Sequence, residues 1–190
     1  MRRLLLLGFV CAMTLGMGPA SADVSGVTTA GEKLVSNAVV WFDAPAAPRR
    51  VEKSEVVLDQ RNLNFLPHVL VVQVGTVVKF PNNDRVFHNA FSFHDGKKFD
   101  LGLYPVGTVR HVPFDREGLS RVFCNIHPQM AAYVMVVNTP YYAVSDRTGQ
   151  FTIRDVPYGT YRYHAWRPGA AILNDTIVVA AGVSARVEWP

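Results

Sequence analysis

Cysteine is nearly missing from this chain, with two in 190 residues, at positions 11 and 124. The first falls in "MRRLLLLGFVCAMTLGMGPASADVSG", where Arg2 and Arg3 precede an uncharged apolar run from Leu4 to about Met17 and an Ala20-Ser21-Ala22 cleavage signature. That pattern predicts a secretory signal peptide over residues 1–22, removed before Asp23. Its apolar run is short of the roughly 20 residues a membrane helix needs. No later run is comparably long and free of charge, so the expectation is an exported, periplasmic or similar, soluble protein with no membrane span after cleavage. Cys124 then stands alone, which excludes an internal disulfide framework. Charge of one sign is also scarce. Nineteen Lys and Arg against fifteen Asp and Glu leave +4, and losing Arg2 and Arg3 leaves +2. Such a balance argues against a nucleic-acid partner.

A helical pattern is missing too, since no amphipathic stretch of three turns can be found. What is present is β-like: "NAVVWF", "HVLVVQVGTVVKF", "RVFC", "AAYVMVV", "GQFTI", "TYRYHAW", "TIVVA" and "ARVEW". Gly75, Pro81-Asn82-Asn83-Asp84, Asp95-Gly96 and Pro157-Tyr158-Gly159 punctuate these runs. Many short strands with Gly and Pro turns predict an all-β, antiparallel sandwich architecture. "VLVVQVGTVVKF" divides near Gly75 into two strands, and in the second Val78 and Phe80 alternate with Val77 and Lys79, one face in and one out. "DAPAAPRR" (43–50) and Asn138-Thr139-Pro140 are the candidate linkers.

The chemistry concentrates in "FCNIHPQM", residues 123–130. Cys124, His127 and Met130 follow at spacings of three on a loop that leaves a strand. A thiolate, an imidazole and a thioether suit a soft, redox-active metal, and two histidines with a cysteine and a weak axial methionine form a blue-copper set. One histidine is lacking, to be drawn from His68, His88, His94, His111 and His164. His88 fits best, just past a strand and an Asn/Asp turn in "VVKFPNNDRVFHNAFSF". Asn89 beside it has the amide that can hydrogen-bond across to the Cys124 loop and hold the ligands. Taken singly, Cys124 also fits a buried thiol, Met130 core filler and His127 a loop residue. Met135, alternating within "YVMVV", reads as core. His68, His94 and His111 read as surface or capped histidines and His164 as structural.

"VGTVVKFPNNDRVFHN", followed 36 positions after His88 by Cys124, resembles the plastocyanin-like cupredoxins, and the short Cys-x-x-His-x-x-Met loop is most similar to that of amicyanin. The resemblance spans about Asp59 to Val137. It implies a Greek-key cupredoxin sandwich holding one type 1 copper through His88, Cys124, His127 and Met130. It also implies an electron port at the solvent-facing edge of His127, rimmed by Pro128 and Gln129. The segment 92–118 departs from the family pattern. The flanks, "VSGVTTAGEKLVSNAVVWFDAP" and everything after about Thr139, resemble a carboxypeptidase regulatory-like, transthyretin-type sandwich. The expected organisation is therefore opening strands of that small β-sandwich at 23–48, a copper domain at 49–138 inserted between its halves, and the remainder at 139–190.

The function implied is that of an electron carrier working with a redox partner protein such as a cytochrome or dehydrogenase. A copper-binding module for delivery, storage or sensing is the alternative, although a cage of this kind is poorly suited to releasing metal. A copper enzyme needs further histidine-rich sites. With six histidines, two of them assigned, and no catalytic set recognisable in the flanks, the expectation is that the chain is not an enzyme.

Overall fold

The structure is a computed structural model that describes residues 20–44, 56–93 and 95–190. The apolar part of the predicted signal peptide, most of the 43–50 linker and His94 lie outside the described residues. Among the described residues the chain is all-β, with eighteen strands and no helix. Consequently no helix there is long and apolar enough to cross a membrane.

The central stretch builds two facing sheets. One runs Phe99–Asp100, Phe91–Ser92, Gly118–Phe123, Ala131–Val137, Val69–Gln73; the other runs Val109–Phe114, Thr76–Pro81, Val56–Val57. Gly75 separates Val69–Gln73 from Thr76–Pro81, and its φ of 83° is a conformation glycine adopts without the steric cost of a Cβ. The corner sends the chain from the first sheet into the second. In Thr76–Pro81, Val78 and Phe80 are fully buried while Val77 is half exposed, the period-2 alternation of a sheet with one wet face. Leu58, Phe65, Val72, Phe114, Val122 and Val134 close the core between the sheets. Ala131–Val137 pairs parallel with Val69–Gln73, a connection no hairpin can make.

The 92–118 segment, which sequence pattern leaves unassigned, contributes the edge strand Phe99–Asp100 and the strand Val109–Phe114, registered antiparallel on Thr76–Pro81. Between them Tyr104 pairs with His88 in an isolated bridge.

The two flanks share sheets. Ser21–Ala30 lies between Gln150–Pro157, antiparallel, and Ser184–Trp189, parallel. Val39–Phe42 lies between Tyr142–Val144 and Gly159–Trp166, which continues to Leu173–Val179. N-terminal strands thus occupy interior positions in sheets otherwise made from the last third of the chain. Val24, Val40, Phe42, Phe151, Ile153, Val187 and Trp189 form their common core. Ser21 and Ala22, expected to leave with the signal peptide, pair with Pro157 and Val156 at the start of the first strand. A separate cluster of Val39, Val69, Met135, Val137 and Trp166 joins strands of the flanks to strands of the central sheets.

Phe42 is 1% exposed inside the flank core. Phe42→Ala is expected to destabilise that core by about 3–5 kcal/mol, the usual cost of a truncated buried phenylalanine. A denaturant titration followed by tryptophan fluorescence would measure it.

Candidate metal centre

Three donor atoms from two separated parts of the chain converge. His88 lies past the Asn82-Asn83-Asp84 turn that ends Thr76–Pro81, and Cys124 and His127 lie on the loop between Gly118–Phe123 and Ala131–Val137. Cys124 Sγ is 3.9 Å from His88 Nδ1 and 3.7 Å from His127 Nδ1, and the two Nδ1 atoms are 3.0 Å apart. Cys124 and His88 are buried and His127 is half-buried. Among the described residues this is the group of cysteine, histidine and acidic side chains placed to hold a metal ion.

Bond lengths test the fit. An ion about 2.0 Å from each nitrogen and about 2.3 Å from the sulfur can sit inside a triangle with those edges, close to its plane. A single ion can therefore reach all three donors without rearrangement. Two imidazoles and a thiolate in such a trigonal set are the donors of a copper site with a weak axial fourth ligand.

Met130 stands beneath the loop, fully buried in the central core alongside Cys124. Its N–H donates to the His127 carbonyl at 2.9 Å, and its carbonyl accepts from the Cys124 N–H at 3.3 Å. The loop is thus tied off by its own backbone, with Cys124 and Met130 held across its neck.

Other residues fix the ring of His88. Asp84 Oδ2 accepts a hydrogen bond from His88 Nε2 at 2.9 Å. That contact places the ring proton on Nε2 and leaves the Nδ1 lone pair facing Cys124 and His127, the carboxylate–histidine arrangement that orients metal-bound imidazoles. Burial pushes the Asp84 carboxyl up, but the Leu63 and Arg85 N–H groups and the His88 ring outweigh it and hold the group down at about 2. Asn82, fully buried, donates to the Val86 and Tyr104 carbonyls and accepts from the Asp84 N–H, which shapes the turn carrying Asp84. Asn89 Oδ1 accepts from the Asn125 N–H at 2.9 Å. This bond spans from the His88 segment to the Cys124 loop.

The backbone of His88 is clamped by Tyr104 through two hydrogen bonds, of 2.8 and 3.2 Å. The Tyr104 hydroxyl accepts from Gln60 and donates to the Phe80 carbonyl. Burial pushes its phenol up to about 12.

The other described histidines stand apart from this group. His68 is exposed with Nδ1 on the Ala131 carbonyl. His111 is exposed, paired in register with Lys79. His164 stacks on Trp41 and meets Asp43 and Asn174. Asp84, Asn82 and Tyr104 are the supporting residues that sequence pattern did not single out.

Comparisons with known proteins touch both parts of the chain. The family model for polysaccharide lyase family 4, domain II, matches residues 130–187. No curated protein matches. Among solved structures, the chain is 24% identical to a copper-containing nitrite reductase from Thermus scotoductus SA-01, over 50% of this chain and 25% of that one, with a TM-score of 0.44. A purple cupredoxin from Nitrosopumilus maritimus is 26% identical over 45% of this chain and all of its own, with a TM-score of 0.39. A reduced Cu(I) form of an amicyanin variant is 18% identical over 52% of this chain and 98% of its own, with a TM-score of 0.42. The chain thus spans only a quarter of the nitrite reductase but nearly all of the two small cupredoxins.

Asp84 gives the site a pH signature in the metal-free protein. A carboxyl lowered from its ordinary 3.8 to about 2 on folding adds stability that is fully present above about pH 4 and lost as the pH falls through about 2. Asp84→Asn is therefore expected to be less stable than the parent at neutral pH, with the gap narrowing from about pH 4 downward and closing only below about pH 2. Thermal melts across that range check it, and a constant gap would mean the carboxylate is not the stabilising group.

Proposed function

We propose that this chain is an exported type 1 copper protein that carries single electrons between redox partner proteins. The observation that carries this reading is the donor triangle of His88, Cys124 and His127, with separations that suit one ion and a sulfur donor shielded from water. When bound there, copper supplies a one-electron Cu(I)/Cu(II) couple.

The protein's own residues do the rest. His88, Cys124 and His127 would hold the ion through two imidazole nitrogens and a thiolate, and Met130 would add a weaker thioether donor. Asp84 keeps the His88 ring from turning, and the Asn89–Asn125 bond keeps the cysteine loop at a fixed distance from it. A cage held this way changes shape little when its charge changes, which favours fast electron exchange over metal release. His127 presents a half-buried ring, with Pro128 and Gln129 exposed beside it. Ile126, Val86, Phe87 and Leu103 are apolar, between 42% and 57% exposed, and adjoin His127, His88 or Tyr104 in sequence. Exposed apolar side chains so near the ligands in sequence, beside a partly open His127 ring, suit brief contact with a partner such as a cytochrome or dehydrogenase. The flanks, with their shared sheets, are proposed as one small sandwich split in sequence by the copper domain.

Copper reconstitution with an optical spectrum and a redox titration tests the assignment. The copper protein is expected to show an intense visible band from thiolate-to-copper charge transfer. Cys124→Ser replaces the thiolate with a hard, neutral oxygen and abolishes the band, and a band retained in that variant would sink the proposal.

Met130→Leu is expected to keep the copper and the colour while raising the reduction potential, because Cu(II) depends more on total donation than Cu(I) does. A delivery module would instead lose Cu(I) affinity sharply in the same variant. An unmoved potential would remove Met130 from the ligand set.

A further inference from the structure

A line of contacts leaves the candidate centre through the residue that follows Met130. Ala131 follows Met130 directly, and its carbonyl accepts a hydrogen bond from His68 Nδ1 at 3.1 Å. The His68 ring meets Tyr133 edge-on, with centroids 5.4 Å apart and planes at 89°. Tyr133 in turn meets Trp166, at 5.1 Å and 63°. Both separations fall in the range of direct aromatic contact. The backbone braces the series, since the Tyr133 N–H donates to the His68 carbonyl at 2.9 Å.

Trp166 ends the strand Gly159–Trp166 of the flank sheets, so the Tyr133–Trp166 contact crosses between the two bodies of the chain. It is held there by the buried cluster of Val39, Val69, Met135 and Val137. Trp166 is 5% exposed, yet it lines a cleft of about 540 Å³ between those bodies. Trp41, Met135 and Ile172 supply apolar walls to that cleft, and Asp95 and Glu117 supply carboxylates.

We infer that His68, Tyr133 and Trp166 form an electron route between this cleft and the copper loop, giving the protein a second port distinct from the His127 edge. The inference rests on the copper reading proposed above. One electron leaves a donor in the cleft, tunnels through the contacting rings and the Ala131 peptide, and reduces Cu(II) to Cu(I). The rings mediate the transfer without being oxidised, so no proton is lost and no bond changes. Rings in contact couple donor and acceptor far better than open solvent does. The apolar walls and the two carboxylates suit a cationic one-electron donor.

The experiment uses the full chain loaded with copper. A ruthenium tris(bipyridine) label is attached through Ile172→Cys in the cleft or, in a second protein, through Ile126→Cys beside His127. Ile172 and Ile126 are each 47% exposed, whereas Cys124 is 3% exposed and shielded from labelling. After a flash, Tyr133→Leu and Trp166→Leu are expected to slow reduction of Cu(II) from the label at 172 by roughly tenfold and to leave the rate from 126 unchanged. An equal fall from both labels, or no fall from 172, overturns the route.

A metal-free readout separates this from failure of the copper reading. In the apo protein an added irreversible quencher, a pentaamminechlorocobalt(III) complex, takes one electron from the flash-excited label at 172, and the oxidised label then takes one from Trp166. Tyr133 then reduces the tryptophan radical, passing its phenolic proton to water, and tyrosyl radical absorption appears. Tyr133→Phe is expected to leave the tryptophan radical standing, and a tyrosyl signal that persists in it counts against the route even if no copper binds. Free hexaammineruthenium(II) probes the cleft as a docking site: Glu117→Gln is expected to slow its reduction of Cu(II) and flatten the salt dependence, and an unchanged rate overturns docking at the cleft.

Discussion

Two imidazole nitrogens 3.0 Å apart cannot both present lone pairs to each other without something positive between them. The Asp84 carboxylate settles one side of that problem by accepting a hydrogen bond from the Nε2–H of His88, so the His88 Nδ1 lone pair points inward. A proton on His127 Nδ1 would satisfy the contact between the two rings, but it would leave the buried sulfur 3.7 and 3.9 Å from them with only weak partners. A metal ion answers all three donors at once. The rest of the central body follows from holding this triangle: the Gly75 corner that turns the chain from one sheet into the other, the Tyr104 clamp on the His88 backbone, and the Asn89–Asn125 bond.

The same constraint explains why the supporting residues are polar and yet so deeply placed. Asn82, Asn89, Gln60 and Tyr104 are each no more than 2% exposed. A buried amide or hydroxyl is costly unless paired. Here each supplies at least one hydrogen bond that fixes a loop carrying a donor, or the strand beneath it. Removing any one of them would orphan its partner as well as loosen the site, so the network rigidifies the centre as a unit.

Much of this was legible from sequence, for reasons that differ by residue. Cys124, His127 and Met130 lie within seven residues, and soft donors so close on one loop are informative without any knowledge of the sheets. Val78 and Phe80 announced their face by strict alternation, and Gly75 marked the corner. His88 was reachable because it follows a strand and a turn, and the amide of Asn89 suggested the bond that Asn125 completes. Asp84 was hidden. It sits in "PNNDR", where an aspartate reads as an ordinary turn residue, and outside a helix a spacing of four says nothing about which side chains meet. Tyr104 was hidden for another reason: a single bridged residue pair leaves no periodic pattern in the chain. The shared flank sheets were suggested only by family likeness, because strand pairing across more than a hundred residues has no local signature.

The sharing of those sheets bears on how the central body is held. Both of its ends leave from strands of one flank sheet, the interior strand Val39–Phe42 on one side and the half-buried edge strand Tyr142–Val144 on the other, and these two strands are hydrogen-bonded neighbours. The central body is thus closed at its base, so thermal separation of its ends is opposed by the flank core as well as its own. A second consequence follows from the packing of Met135 and Val137 against Val39 and Trp166. Met135 lies on the strand that begins one residue after Met130, and its register with Val71 and Leu119 is fixed on both sides. A shift of that strand would pull on the cysteine loop directly, because the loop's neck is closed by Met130. The flank sheets therefore brace the strand that the candidate centre hangs from, and this ties the stability of the two bodies together.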